Sequence, residues 1–145
     1  MMSGDLSRAV EVLRSGGYTA VFCRGDTLYT ERARGVTPLL SRLDAGDALC
    51  GYAAADKVVG RGAAFLYLAL GIGELYAEVL SEPAQALLSA HGVSVTAGRV
   101  VPYIVNRSGD GQCPIERAVT GIDTPSEAIA AIRVTLKKLA ATKKD

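Results

Sequence analysis

The residues with the clearest chemical potential lie in the stretch RSGDGQCPIERAV, at positions 107–119. Cys113 is followed by Pro114 and, two residues later, by Glu116. Because proline is preferred at the first position of a helix, this order predicts a helix start with Cys113 as N-cap and Glu116 as third helical residue, the layout of a capping box. A helix N-terminus favours the thiolate form of cysteine. Cys113 is therefore a candidate nucleophile, with Glu116 beside it and Arg107 as a candidate ligand contact. A packed, unreactive helix-start cysteine is the alternative.

A second polar group occupies the stretch AAADKVVGRG. The residue order predicts a strand end at Asp56 and a helix that begins near Lys57. Gly60 lets a ligand or another backbone approach closely, and the free N–H groups of a helix start bind anions. Lys57 and Arg61 would add positive charge, and Asp56 would orient a ligand or accept a proton. The sequence thus predicts a site for a phosphate or carboxylate, with tight helix–sheet packing as the alternative. The ending typical of a P-loop is absent.

The other cysteines and the histidine offer less chemistry. His91 precedes Gly92 at the predicted end of a helix, where an imidazolium and a left-handed glycine are both favourable. Cys23 and Cys50 lie in apolar runs and are predicted to be core residues. No pair of the three cysteines has the short spacing of a zinc knuckle. We predict no metal or other cofactor, and metal binding through Cys113 with an aspartate or glutamate is the weaker alternative.

Periodicity and turn residues predict the elements that must position these groups. They are a helix over 6–16, a hairpin of strands 18–23 and 27–31, a helix over 37–45 with Thr37 as N-cap, a buried strand over 48–55, a helix over 57–71, a strand over 74–81, a helix over 82–91, a strand over 93–98, an extended segment or strand over 100–107, and a C-terminal helix over about 125–141 with a basic tail. This order is typical of one α/β domain that spans residues 1–145, a sheet flanked by helices.

Composition excludes several classes of function. The net charge of +1 and an aromatic content of 6% give no basis for nucleic-acid binding. The most apolar segment, residues 63–73, is shorter than the roughly 20 residues that cross a bilayer. The N-terminal residues do not have the pattern of a signal peptide. We therefore expect a cytoplasmic protein without nucleic-acid or membrane partners.

Four segments together carry a family resemblance: ADKVVGRGAAFLYLALG, YAEVLSEPAQALL, VPYIVNR and CPIE. In these segments the chain resembles a bacterial family of unknown function with a cytidine-deaminase-like fold. The resemblance covers nearly the whole chain. It implies a three-layer α/β/α domain with a mixed sheet, and it implies no particular reaction.

The zinc-binding motifs of the wider deaminase superfamily are absent from this sequence. Zinc deaminases carry a histidine or cysteine and a glutamate at the start of one helix, and a proline-cysteine-x-x-cysteine at the start of the next. Here the first place reads DKVVGRGAA, and the second reads LSEPAQALL, with Ala84 and Leu87 where the cysteines would be. The resemblance therefore implies a cleft without zinc, reached by two helix starts, one near Lys57 and the other at Ser81 and Glu82.

These observations predict a protein that binds a small anionic or nucleotide-like metabolite and is not a zinc deaminase. Lys57, Gly60, Arg61, Ser81, Glu82 and Arg107 are the candidate ligand-binding residues, and Cys113, Asp56 and Glu116 are the candidate catalytic ones. If the protein is an enzyme, Cys113 is the expected nucleophile. The alternative is a non-catalytic regulatory or interaction module that kept the fold and lost the chemistry. A homo-oligomer is compatible with either reading.

Overall fold

The computed structural model describes residues 2–105, 109 and 111–143. The helices and strands in chain order are α1 (Gly4–Gly16), β1 (Ala20–Arg24), β2 (Thr27–Glu31), α2 (Thr37–Asp44), β3 (Ala53–Val59), α3 (Arg61–Leu70), β4 (Glu74–Ser81), α4 (Glu82–Ala90), β5 (Ser94–Val101), α5 (Pro114–Ala118) and α6 (Pro125–Lys143). The predicted Arg107, most of the polar loop 106–110 and the end of the basic tail lie outside the described residues.

The five strands form one mixed sheet in the order β2-β1-β3-β4-β5. β1 pairs antiparallel with both β2 and β3, and only Gly25 and Asp26 separate β1 from β2. β3, β4 and β5 are parallel. Parallel neighbours need long crossover connections, and α3 and α4 supply them. The carboxyl ends of β3 and β4 therefore lie at the same edge of the sheet, each followed directly by a helix.

Helices cover both faces of the sheet, and alternation along the strands assigns each side chain to a face. Leu6, Ala9, Val10 and Leu13 of α1 pack on one face, against a cluster that includes Val21, Cys23, Ala53, Ala55 and Tyr76. Residues of α2, α3, α4, α5 and α6 pack on the other face around Phe22, Ala54, Leu75 and Ala77. The expected α/β sheet flanked by helices is therefore present.

The segment around Asp56 differs from the prediction. The predicted strand over 48–55 and helix from Lys57 are wrong, because the strand runs from Ala53 to Val59 and the helix begins at Arg61. The ladder with β4 continues through Asp56 and Val59, which pair with Ala77 and Leu80. The β-branched Val58 and Val59 favour this extension, and Gly60 becomes the N-cap of α3. Asp56 and Lys57 consequently lie on a strand and not in a helical first turn.

Smaller differences concern three other places. Thr37 is the first residue of α2, whose N-cap is Val36 without a side-chain hydrogen bond. Residues of the two predicted segments 93–98 and 100–107, with Arg99 between them, form a single strand, Ser94–Val101. Cys23 is buried as predicted, but the prediction of a core position for Cys50 is wrong, since it is exposed in the turn before β3. In this turn the neighbouring Leu49 takes the buried position, with its N–H donating to the Leu70 carbonyl at 2.8 Å, and Cys50 faces solvent.

Candidate functional site

A cavity of about 590 Å³ opens at the carboxyl end of β3. Its walls come from the start of β1, the loop after β2, the end of β3, the start of α3 and the α5 segment. This volume lies within the range of small-molecule sites. Five of the predicted site residues line the cavity: Asp56, Lys57, Gly60, Cys113 and Glu116.

Three predicted residues do not line this cavity. Arg61 points to the end of α5, where its guanidinium donates to the Val119 carbonyl at 2.6 Å and lies 3.6 Å from Asp123. Ser81 is fully buried at the N-cap of α4, and Glu82 is exposed in the first turn of that helix. Arg61 and Ser81 thus hold helices together in this structure.

Glu116 connects the starts of α3 and α4. Its side chain is only 6% exposed. One carboxylate oxygen accepts the Gly62 N–H at 3.1 Å, and the other accepts the Ser81 hydroxyl at 3.2 Å. The Ser81 oxygen in turn accepts the Ala84 N–H at 3.2 Å. A negative charge is favourable at helix N-termini, so an internal carboxylate satisfies the anion preference of both helices.

This arrangement corrects the capping-box prediction for α5. The helix begins at Pro114 with Cys113 as N-cap, as predicted, but the Cys113 side chain makes no capping hydrogen bond. The Glu116 carboxylate does not return to the Cys113 N–H, which donates to the Ile104 carbonyl at 2.8 Å. Glu116 reaches the longer helices because the buried Ile115 seats α5 against Gly62, where an added Cβ would lie 2.6 Å from the Ile115 methyl.

Asp56 has a neutral donor on each of its oxygens. The Tyr67 hydroxyl donates to Oδ2 at 2.6 Å, and the Val58 N–H donates to Oδ1 at 3.2 Å. Desolvation raises the pKa of Asp56 to about 6; the Tyr67 hydroxyl, the Val58 N–H and, least of all, the nearby Lys57 N–H oppose this rise. Desolvation, followed by the nearby Asp56 charge, raises the pKa of Tyr67 well above its usual value. Asp56 can therefore change protonation near neutral pH while Tyr67 remains a donor.

Sequence reasoning missed Tyr67, which is 1% exposed on α3. A tyrosine within an apolar helix looks like an ordinary core residue, and this one also meets Phe22 edge-on with ring centroids 6.3 Å apart. The available signal was its hydroxyl, since a buried tyrosine usually finds a polar partner.

The charges that line the cavity are separated by depth. The acidic floor consists of Glu31, Asp56 and Glu116, which are buried or half-buried, and the cationic rim consists of Arg32, Arg34 and Lys57, which are exposed. Arg32 lies over the Tyr18 ring at 4.4 Å from its centroid. A molecule with hydrogen-bond donors at one end and negative charge at the other would complement both layers.

Within the described part of the chain, no three histidine, cysteine, aspartate or glutamate side chains come together in a group that could hold a metal ion. In the same part of the chain, no helix is both long and apolar enough to span a membrane.

Comparison with known proteins places this geometry in a family. The family model named TM1506, a domain of unknown function (DUF1893), matches residues 8–136 of the chain. The chain belongs to the DUF1893 family. A crystal structure of a DUF1893 family protein (TM1506) from Thermotoga maritima is similar to it, with a TM-score of 0.82 and 27% identity over 95% of this chain and 92% of that chain. No curated protein matches.

Membership in DUF1893 agrees with the resemblance to a family of unknown function. It assigns no reaction, so a function for this chain must be argued from the cavity itself.

Proposed function

We propose that this DUF1893 protein binds a small anionic, nucleotide-like metabolite in the cavity at the end of β3. The observation that carries the proposal is the separation of charge between the acidic floor and the cationic rim. The exposed Lys57 and Arg34 would meet the anionic end of the ligand, and Asp56 would meet its donor-bearing end. We also propose a cytoplasmic location, in keeping with the free cysteines Cys23, Cys50 and Cys113.

Native mass spectrometry of freshly purified protein tests the proposal. We expect a small molecule to remain bound to the wild type and to be lost from Lys57→Ala, which removes a rim cation. Lys137→Ala is the matched control, because Lys137 is exposed on α6 and does not line the cavity. Loss of the bound molecule from both variants, or from neither, would contradict a role for the rim. The same spectra count the chains in each particle and so show whether the protein is a monomer or a homo-oligomer.

The cavity also supports a finer fold assignment, a cytidine-deaminase-like domain without zinc. In support, α3 and α4 directly follow the parallel strands β3 and β4, and Glu116 occupies the space between their first turns. An internal carboxylate there competes with any other occupant of the two helix starts. Protein purified in the presence of zinc should contain far less than one zinc per chain, and stoichiometric zinc would contradict the assignment.

A non-catalytic module is the second candidate, and Glu116 is the observation that favours it. Its hydrogen bonds already satisfy the two helix starts at which a reacting group would otherwise bind. A catalytic site, in contrast, would use Cys113 as nucleophile and Asp56 as proton acceptor, since both line the cavity.

Alkylation by iodoacetamide near neutral pH separates these two candidates. Cys50 is exposed and lies outside the cavity, so it serves as a reference thiol within the same molecule. Reaction of Cys113 much faster than Cys50 supports catalysis, whereas equal or slower reaction supports the non-catalytic module.

A further inference from the structure

The three carboxylates of the acidic floor differ in the partners that balance their negative charge. Glu31 is neutralised by Arg42, whose Nε and terminal nitrogen lie 3.1 and 3.0 Å from the same Glu31 oxygen. Glu116 is held by the first turn of α3 and the N-cap of α4. Asp56, by contrast, meets only a phenol and a backbone amide, and no described cation pairs with it. Asp56 is thus the floor carboxylate that is paired neither with a described cation nor with a helix start, which leaves its charge available to a ligand.

The hydrogen-bond acceptor positions that Asp56 leaves unused can be counted on each of its oxygens. An ionised carboxylate offers about four acceptor positions, two on each oxygen. Tyr67 uses one position on Oδ2, and Val58 uses one on Oδ1. The Lys57 N–H donates to the Thr19 carbonyl at 3.1 Å. Each Asp56 oxygen therefore keeps one acceptor position, which suits a pair of donors side by side in one plane.

We propose that Asp56 forms a subsite for a planar, neutral group with two adjacent N–H donors, as on the edge of a guanine-type base. This inference rests on the proposed function, since the cationic rim would hold the anionic end of the same molecule. The rim also disfavours a free amidinium or guanidinium, because Arg32, Arg34 and Lys57 would repel a cation without an attached anion. The substrate class is accordingly a purine monophosphate that carries two donors on its pairing edge.

Three nucleotides test this subsite with the phosphate and ribose held constant. Guanosine monophosphate presents two adjacent donors, inosine monophosphate presents one, and adenosine monophosphate presents a donor beside an acceptor. At pH 8, where Asp56 is ionised, calorimetry should show guanosine monophosphate binding about tenfold or more tightly than the other two, the discrimination typical of one bidentate pair. In Asp56→Asn, whose side chain presents one acceptor oxygen and one amide donor, this preference for guanosine monophosphate should disappear.

The pH dependence of the same preference provides a second measurement on the unmodified protein. Protonation of Asp56 replaces an acceptor by a donor, so the preference for guanosine monophosphate over adenosine monophosphate should fall as the pH drops from 8 to 5. The phosphate groups titrate alike in the three probes, and their effect cancels in the ratio. The other titratable and charged groups around this floor are Tyr67 from α3, Glu31 from β2, Lys57 from β3, Arg32 and Arg34 from the loop after β2, and Cys113 and Glu116 from the α5 segment.

The outcomes separate this inference from the proposed function. Equal affinity for the three nucleotides, weakened by Lys57→Ala, would overturn the Asp56 subsite and leave the anion-binding cavity in place. A preference that survives in Asp56→Asn, or that does not change with pH in the wild type, would also overturn the subsite. Failure of all three nucleotides to bind would overturn both the subsite and the nucleotide-like ligand.

Discussion

Replacement of Glu116 by alanine should destabilise the protein strongly, although Glu116 lies on a helix of only five residues. The carboxylate is 6% exposed and accepts one N–H and one O–H, from Gly62 and Ser81. Hydrogen bonds to charged groups contribute about 1.5–3 kcal/mol each, and donors left buried without a partner add their desolvation cost. The charge also interacts favourably with the N-termini of α3 and α4. We expect Glu116→Ala to lower the free energy of unfolding by about 3–5 kcal/mol.

Urea denaturation followed by circular dichroism measures this loss, and a fall of about 10 °C or more in the melting temperature should accompany it. Glu82→Gln is the matched control, because Glu82 is an exposed acid in the first turn of α4. Its replacement removes a similar dipole interaction without any buried bond and should cost at most about 0.5 kcal/mol. The reasoning is refuted if Glu116→Ala costs less than about 1 kcal/mol or no more than the control.

Gly60 supplies an independent check of the same contact. A Cβ at Gly60 would overlap the Glu116 carboxyl, while the extended backbone of Gly60 accepts other residues. Gly60→Ala should therefore destabilise the wild type by about 1–3 kcal/mol and destabilise the Glu116→Ala variant much less. Such a double-mutant cycle measures the coupling of the two positions directly. Additive effects would show that the two groups do not touch.

Three further predictions follow from the same structure. The pKa of Asp56 is raised from 3.8 to about 6 in the folded protein, so the folded state binds more protons in this range and stability should fall as pH rises from about 4 to 7. Asp56→Asn should reduce that fall in the free energy of unfolding by up to about 2 kcal/mol, as measured by urea denaturation across this pH range. If the free energies of unfolding of the two proteins change in parallel with pH, the raised pKa of Asp56 is contradicted. Gly62→Ala should cost about 1–2 kcal/mol because its Cβ would lie 2.6 Å from the Ile115 methyl, whereas Gly73→Ala, which meets no atom within 4 Å, should stay within about 0.5 kcal/mol. Cys23 is 0% exposed and should be alkylated by N-ethylmaleimide at least about 100-fold more slowly than the exposed Cys50, as measured by peptide mass spectrometry, since its reaction requires opening of the sheet. Comparable rates would show that α1 does not protect it.

Much of the local secondary structure could be predicted from the sequence. The apolar spacing of α1 and α6, the two-residue turn between β1 and β2, and the glycine that follows His91 are local signals, and each has its expected counterpart. The secondary structure of the stretch from Ala48 to Val59 could not be predicted from local signals. A run of small residues has no clear period, so the boundary between β3 and α3 depended on pairing with β4, which only the folded sheet provides.

The candidate site also has features that the sequence predicted and features that only the tertiary structure decided. The sequence alone pointed to Asp56, Lys57, Gly60, Cys113 and Glu116, because residue type is a local property, and these residues do line one cavity although Asp56 and Lys57 lie within β3 and not at its end. The sequence also determined that the cysteine and histidine ligands of a zinc deaminase are absent. The partners of these groups were decided by the tertiary structure.

Tyr67 lies 11 residues from Asp56, Ser81 lies 35 residues from Glu116, and Gly62 lies 54 residues from Glu116. No local pattern encodes hydrogen bonds over such separations, because they form only when packing of α3, α4 and α5 on one face of the sheet brings the groups together. For that reason the sequence determined which residues could do chemistry. The packed fold decided that Glu116 satisfies two helix starts and that Asp56, which lines the cavity, accepts hydrogen bonds from Tyr67 and Val58.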